Sequence, residues 1–163
     1  MLVRKVKLTQ DKVALIDDED YERANQHTWC AFRSYGGKFY AQCRVSKTRT
    51  ISLHRFIMNA LKSKLEVDHI DGNPLNNRKS NLRLVTHAQN QRNFKKFKTN
   101  TSGYKGVAWH KARRKWRAYI VLNAKQRHLG LFTSKIRAAK AYDEAARKLF
   151  GEFAHLNFKK EQP

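Results

Sequence analysis

The stretch Val67-Asp68-His69-Ile70-Asp71-Gly72-Asn73-Pro74-Leu75-Asn76-Asn77, with Asn81-Leu82-Arg83-Leu84-Val85-Thr86 behind it, decides how the middle of the chain folds. Residues 65–70 read as a short β-strand. Asp71 to Pro74 and Asn76-Asn77 are turn formers, each for its own reason. Glycine reaches positive φ, proline presets its φ, and Asn and Asp bond the backbone just ahead of them. Residues 82–85 read as a second strand, and the Thr86 hydroxyl is placed to cap a helix over about residues 87–94. The sum is a β-turn-β-helix unit over residues 65–94.

Upstream the chain reads as β. Val3, Val6 and Leu8 open a strand that resumes at 13–16 after a turn at Gln10-Asp11, and strands at 28–35 and 38–45 flank Gly36-Gly37 as a hairpin. Residues 53–61 are apolar at 53, 56, 57, 60 and 61, which is helical spacing. Downstream, the basic, polar segment around FKKFKTNTS marks a domain boundary. Residues 104–110, 115–122 and 126–132 then read as three strands, with turns at 111–114 and 123–125. Ser134 caps a helix to Phe150 whose stripe is Ala138, Ala139, Tyr142, Ala145, Ala146, Leu149 and Phe150, and Gly151 stops it. The fold expected is α+β. It comprises a β-rich leader (1–53), a ββα unit (54–94), a basic linker (95–103), a three-stranded antiparallel sheet packed on one helix (104–158) and a tail (159–163).

The composition narrows the function classes. The 163 residues carry 35 Lys and Arg against 13 Asp and Glu, a net charge of +22. With 40% hydrophobic residues and 3 Trp, 6 Tyr and 9 Phe the chain can build a core, which excludes a disordered tail. No apolar run approaches the ~20 residues of a membrane span. Cys30 and Cys43 make no CxxC and have no His pair at zinc spacing, so they read as two small hydrophobes in a reducing compartment. The N-terminus lacks a signal-peptide apolar run, and the expectation is an intracellular protein. The net charge is +4 over residues 1–53, +7 over 54–101 and +10 over 102–158. Such a gradient points to a polyanion, most simply nucleic acid. Asp17-Asp18-Glu19-Asp20 reads as a solvated acidic turn, with a metal cluster as the alternative.

The middle unit carries the chemistry. Asp68 and His69 end a strand, Asn81 follows His69 by 12 residues and Asn90 by 21. A ββα hairpin folds its helix back across its strands, which brings a carboxylate, amide oxygens and an imidazole together. Asp plus Asn suits a Mg²⁺-like ion that keeps positions for water and phosphate. An imidazole near its ordinary pKa of ~6.5 takes a proton from water at neutral pH. Such a set hydrolyses a phosphodiester.

These residues, with Leu53-His54-Arg55, resemble the HNH homing endonucleases of the phage-encoded branch, and Lys12 to Asp17, Asp20-Tyr21 and Trp29 resemble the leader those proteins often carry. The resemblance implies a ββα-metal nuclease unit with His69 as general base. It implies that Asp68 and Asn90 bind one divalent ion, Mg²⁺ or Mn²⁺. It implies that Asn81 pins the loop that orients His69. The four-cysteine zinc staple of some relatives is absent. His87 reads as an outer-sphere group, a ligand or an exposed helix residue, and His54 as a core or phosphate-contacting residue or as neither. Asp71 reads as a turn residue or a partner of His69, and Asn73, Asn76 and Asn77 as turn formers.

The C-terminal segment places Lys105, Trp109, His110, Arg113, Arg114, Lys115, Arg117, Tyr119, Arg127 and His128 on or beside its sheet as DNA-binding candidates. Trp116, Ala118, Ile120 and Leu122 mark the face toward the helix, and Arg117, Tyr119 and Val121 the opposite one. Packing is the preferred reading of Trp116, and Trp109 is open between groove contact and packing. Tyr104-Lys105-Gly106-Val107, Lys115-Trp116-Arg117-Ala118, Leu129-Gly130 and Ala138 to Asp143 resemble the plant ethylene-response-factor (AP-two type) DNA-binding domain. The resemblance implies a sheet docked in the major groove.

The function expected is a metal-dependent DNA endonuclease acting on double-stranded DNA, with no membrane and no protein partner implied. The alternatives are a non-catalytic DNA-binding regulator on an inactive scaffold and a basic RNA-binding protein.

Overall fold

The computed structural model describes residues 2–93 and 100–158, the side chains of 91–93 excepted. Most of the expected linker 95–103 and all of the tail 159–163 lie outside the described residues. The chain divides into two compact units, residues 1–90 and 91–163. It is a mixed α and β architecture of small antiparallel sheets with few helices.

In the first unit β1 (Val3–Lys7) pairs with β2 (Val13–Asp17), Val6 opposite Ala14. The turn between them puts Gln10 and Asp11 at φ 59° and 52°. After α1 (Tyr21–Asn25), β3 (Cys30–Arg33), β4 (Phe39–Arg44) and β5 (Thr50–Ser52) form an antiparallel sheet in that order. Its first turn falls at Gly36-Gly37 as expected, with the Gly37 N–H donating to the Ser34 carbonyl at 2.8 Å. Helix α2 spans only Leu53–Ile57, shorter than the periodicity over 53–61 predicts. Asn59 at φ 52° breaks it, and the Arg55 guanidinium turns back to donate to the carbonyls of Ala60, Ser63 and Leu65. Then β6 (Glu66–His69) pairs antiparallel with β7 (Leu82–Val85), Asp68 opposite Arg83 and His69 opposite Leu82, and α3 (His87–Asn93) follows.

One core joins the leader to this hairpin. It holds Ala14, Ile16, Trp29, Leu53 and Ile57 together with Val67 and Leu82. Ile16 and Leu53 are fully buried, each contributing about 1.5–3 kcal/mol by burial. The acidic segment differs from the solvated turn expected of it, because Asp17 and Asp20 are buried. Asp17 accepts the Lys79 backbone N–H at 2.7 Å. Asp20 pairs with Arg23 at 2.8 Å and Lys79 at 3.3 Å. Charge that looked exposed is met by the neighbouring Arg23 and by the backbone N–H and ammonium of Lys79 from elsewhere in the unit.

In the second unit β8 (Val107–His110), β9 (Lys115–Leu122) and β10 (Lys125–Phe132) form an antiparallel sheet with β9 in the centre, and α4 (Lys135–Phe150) packs on it. Ala138, Ala139 and Ala146 are fully buried, and their small side chains let α4 lie close to the strands. Gly106 sits at φ 72°, where a Cβ would come within 2.0 Å of the Tyr142 ring. The buried Asp143 carboxylate accepts from the backbone N–H groups of Asn157 and Phe158 and from the Asn157 amide, fixing the last described residues over the helix. No helix among the described residues is long and apolar enough to cross a membrane.

Candidate functional site

The loop between β6 and β7 is held by its own amide and carboxylate side chains. Asp71 Oδ1 accepts from the Asn73 N–H at 2.7 Å and from Asn81 Nδ2 at 3.0 Å. Its Oδ2 accepts from Asn76 Nδ2 at 2.8 Å. Burial works against the Asp71 carboxylate, but these donors prevail and hold it below the ordinary range. Asn81, itself buried, also donates to the Asn76 carbonyl at 2.8 Å and accepts from the Asp71 N–H at 3.0 Å. A single amide thus ties both ends of the loop.

That loop presents His69, which is buried. Its Nε2 lies 3.3 Å from Asn77 Oδ1, and Asn77 Nδ2 in turn donates to the Pro74 carbonyl at 3.3 Å. Strand β2 holds the same turn from outside, since the Leu15 N–H donates to Leu75 and the Leu15 carbonyl accepts from Asn77, both at 2.7 Å. The His54 ring meets His69 edge-on at 5.1 Å between centroids, and Tyr40 stands 6.4 Å from His69. Burial, then the His69 and Arg55 charges, push the His54 imidazole down to about 3. His69 is also lowered by burial, opposed by its Asn77 bond and the nearby Asp71 and Asp68 carboxylates. Both rings are therefore neutral at neutral pH.

Asp68 is buried, and its Oδ2 accepts from Arg83 Nε at 3.0 Å and Nη2 at 2.8 Å. Glu66 points to the same side of β6, two residues away. Its two oxygens engage α3 separately, Oε2 accepting from Asn90 Nδ2 and Oε1 meeting His87 Nδ1 at 2.6 Å. The Asn90 bond, then that of His87, lowers the Glu66 carboxyl. Glu66, Arg83, Asn77 and Tyr40 are site residues that sequence reasoning missed or took for turn formers. The signal for Glu66 was available, since it alternates with Asp68 along a strand. The donor chemistry of Asp68 and Asn90, a carboxylate and an amide with no thiolate, fits a hard divalent ion that retains water. Among the described residues no three His, Cys, Asp or Glu side chains gather as a cage.

The sheet of the second unit separates its expected DNA-binding residues. Paired residues of an antiparallel sheet share a face. His110 and Lys115 are paired, as are Tyr119 and His128, and Arg117 and Leu131, and all lie on the face away from α4. A bulge between His128 and Gly130 brings Leu131 to that face. His110, Arg113, Arg117, Gln126, His128 and Leu131 line a concavity of about 610 Å³ there, with the Arg117 guanidinium 5.3 Å from the Tyr119 ring centroid. Arg113 and Arg114 occupy the exposed turn after β8. Trp109 lies on the other face, edge-on to Trp116 at 5.0 Å. Arg127 is paired with the buried Ile120 and so shares the helix-side face. Lys105 is partly buried at the Gly106 turn, and burial pulls its ammonium down to about 8.

Comparison with known proteins adds three findings. A family model described as HNH endonuclease matches residues 59–92. Protein 3.8 of Escherichia phage T7 is 35% identical over 121 residues, 73% of this chain and 98% of that protein. A protein of Acanthamoeba polyphaga mimivirus, described as an uncharacterized HNH endonuclease, is 38% identical over 112 residues, 66% of this chain and 57% of that protein. No solved structure matches the chain significantly.

Proposed function

We propose, from the HNH endonuclease match over residues 59–92 and the similarity to the two viral proteins, that the chain is a divalent-metal-dependent DNA endonuclease, of the homing or nicking type, acting on double-stranded DNA. The observation that carries this reading is the buried His69 imidazole, held at Nε2 by Asn77 Oδ1 and set on the strand next to Asp68. A neutral imidazole is the form that takes a proton.

In this reading His69 takes the proton of a water as its oxygen attacks the phosphorus. The bond to the 3′ oxygen breaks, giving 5′-phosphate and 3′-hydroxyl ends. Asp68 and Asn90 would hold one Mg²⁺ or Mn²⁺, which would supply Lewis-acid chemistry to a bound phosphodiester. Asn81 keeps the loop rigid, so that His69 is positioned before substrate arrives. The +10 of residues 102–158 and the open sheet face supply DNA affinity, with Lys115, Arg113, Arg114 and Arg117 on phosphates or base edges. The AP-two type resemblance supports a sheet docked in the major groove.

One observation favours a second reading, a DNA-binding regulator on an inactive scaffold. Arg83 already neutralises Asp68 with two N–H donors, as a resident cation would. Plasmid nicking with and without EDTA, by the natural chain and His69→Ala, separates the two. Cutting that needs a divalent ion and is lost in His69→Ala supports the nuclease. No cutting with any divalent ion supports the regulator, and equal cutting by both proteins removes His69 as the base.

A further inference from the structure

A neutral imidazole is a base at only one of its two nitrogens, and the fold decides which. The Asn77 side chain is fully buried, so no water substitutes for its partners. One edge of its amide faces the Pro74 carbonyl at 3.3 Å. A carbonyl has no proton to give, so that edge must be the NH₂ group. The opposite edge is then Oδ1, and it faces His69 Nε2 at 3.3 Å. Oδ1 has no proton either, so the ring must supply one.

We propose that Asn77 is a positioning residue that holds neutral His69 as the Nε2–H tautomer and thereby assigns the proton-accepting lone pair to Nδ1. Asn77 does this without touching substrate. The amide cannot turn over, because a flip would set Oδ1 against the Pro74 oxygen and leave two acceptors facing each other. Nor can Asn77 slide along the loop, because its N–H is bonded to the Leu15 carbonyl of β2 at 2.7 Å. The control therefore runs from the leader strand, through one buried amide, to the ring of the base. Its catalytic meaning rests on the nuclease reading, but the tautomer itself does not.

The full chain, labelled with ¹⁵N histidine, reports the tautomer directly by two-bond ¹H–¹⁵N correlation at a pH where the ring is neutral. The expected result is a His69 Nε2 with the shift of a protonated nitrogen and an Nδ1 with that of an unprotonated one. In Asn77→Ala the two shifts move toward each other as both tautomers populate. Asn77→Asp, with its buried carboxyl protonated on the oxygen facing the Pro74 carbonyl, keeps an acceptor for Nε2–H and retains the separated pattern. Single-turnover cutting falls about 100-fold in Asn77→Ala, and Asn77→Asp recovers part of it. A protonated Nδ1 in the natural chain overturns the inference and leaves the nuclease reading standing, as does undiminished cutting by Asn77→Ala. A protonated Nε2 in a chain that fails to cut with any divalent ion supports the inference and removes the nuclease reading instead.

Discussion

Arg83 and Asp68 face each other across β6 and β7, and the guanidinium places both Nε and Nη2 on a single carboxylate oxygen, at 3.0 and 2.8 Å. Their side chains are 13% and 8% exposed, so neither charge is well solvated. An ion bound at Asp68 must share that carboxylate with a cation already present.

Arg83→Leu is expected to destabilise the metal-free protein by about 3–5 kcal/mol, because it takes two N–H donors and a positive charge from a buried carboxylate. Added Mn²⁺ then restores more thermal stability to the variant than it adds to the natural chain. Melting curves with and without the ion check this. Equal ion-induced shifts would show that Arg83 and the ion do not compete for Asp68.

His54 makes stability depend on pH. Its folded-state pKa of about 3 lies below the unfolded value of ~6.5. The folded state thus binds fewer protons, and its stability is full above about pH 6.5 and is lost as pH falls toward 3. The lowered His69 adds in the same direction. Urea midpoints at pH 7, 5 and 4 are expected to fall in that order, and less steeply in His54→Gln. An unchanged slope in the variant would assign the loss to other groups.

The two faces of the C-terminal sheet predict unequal effects on DNA binding. Arg117→Ala, on the face away from α4, is expected to weaken binding roughly 10-fold and to reduce the slope of log affinity against log salt by about 1. Arg127→Ala, on the helix-side face, is expected to change both far less. Fluorescence anisotropy on a short duplex over a salt series measures them. Equal losses would mean that the open face is not the DNA-contacting one.

Asp143→Ala removes an acceptor shared by the N–H groups of Asn157 and Phe158 and the Asn157 amide. The expected cost is about 2–4 kcal/mol in the second unit, with loss of the Phe158 packing on Tyr104, whose rings lie 5.5 Å apart. Denaturant unfolding followed by tyrosine and tryptophan fluorescence reports it.

Local rules made much of the fold legible. The turn formers from Asp71 to Asn77 announce a hairpin whatever surrounds them, and the Ser134 and Gly151 signals bracket α4 to the residue. What stayed hidden depends on partners far along the chain. Asn77 reads as one more turn former until Leu15 and His69 are seen on either side of it. Asp17 and Asp20 read as solvated until Lys79 is found against them. The side taken by Arg127 follows from strand register rather than composition, and register is set by the whole sheet. Glu66 is the exception, because the alternation that exposes it is local.

The two backbone hydrogen bonds of Leu15, one to Leu75 and one from Asn77, also bear on engineering. A chimaera that transplants only residues 59–92, the span of the family match, would carry the side chains proposed to hold the ion and take the proton and still leave behind β2, the strand that clamps the turn. A portable unit that keeps this loop as it stands must therefore include β2, and a graft junction near residue 54 is the wrong place for the scissors.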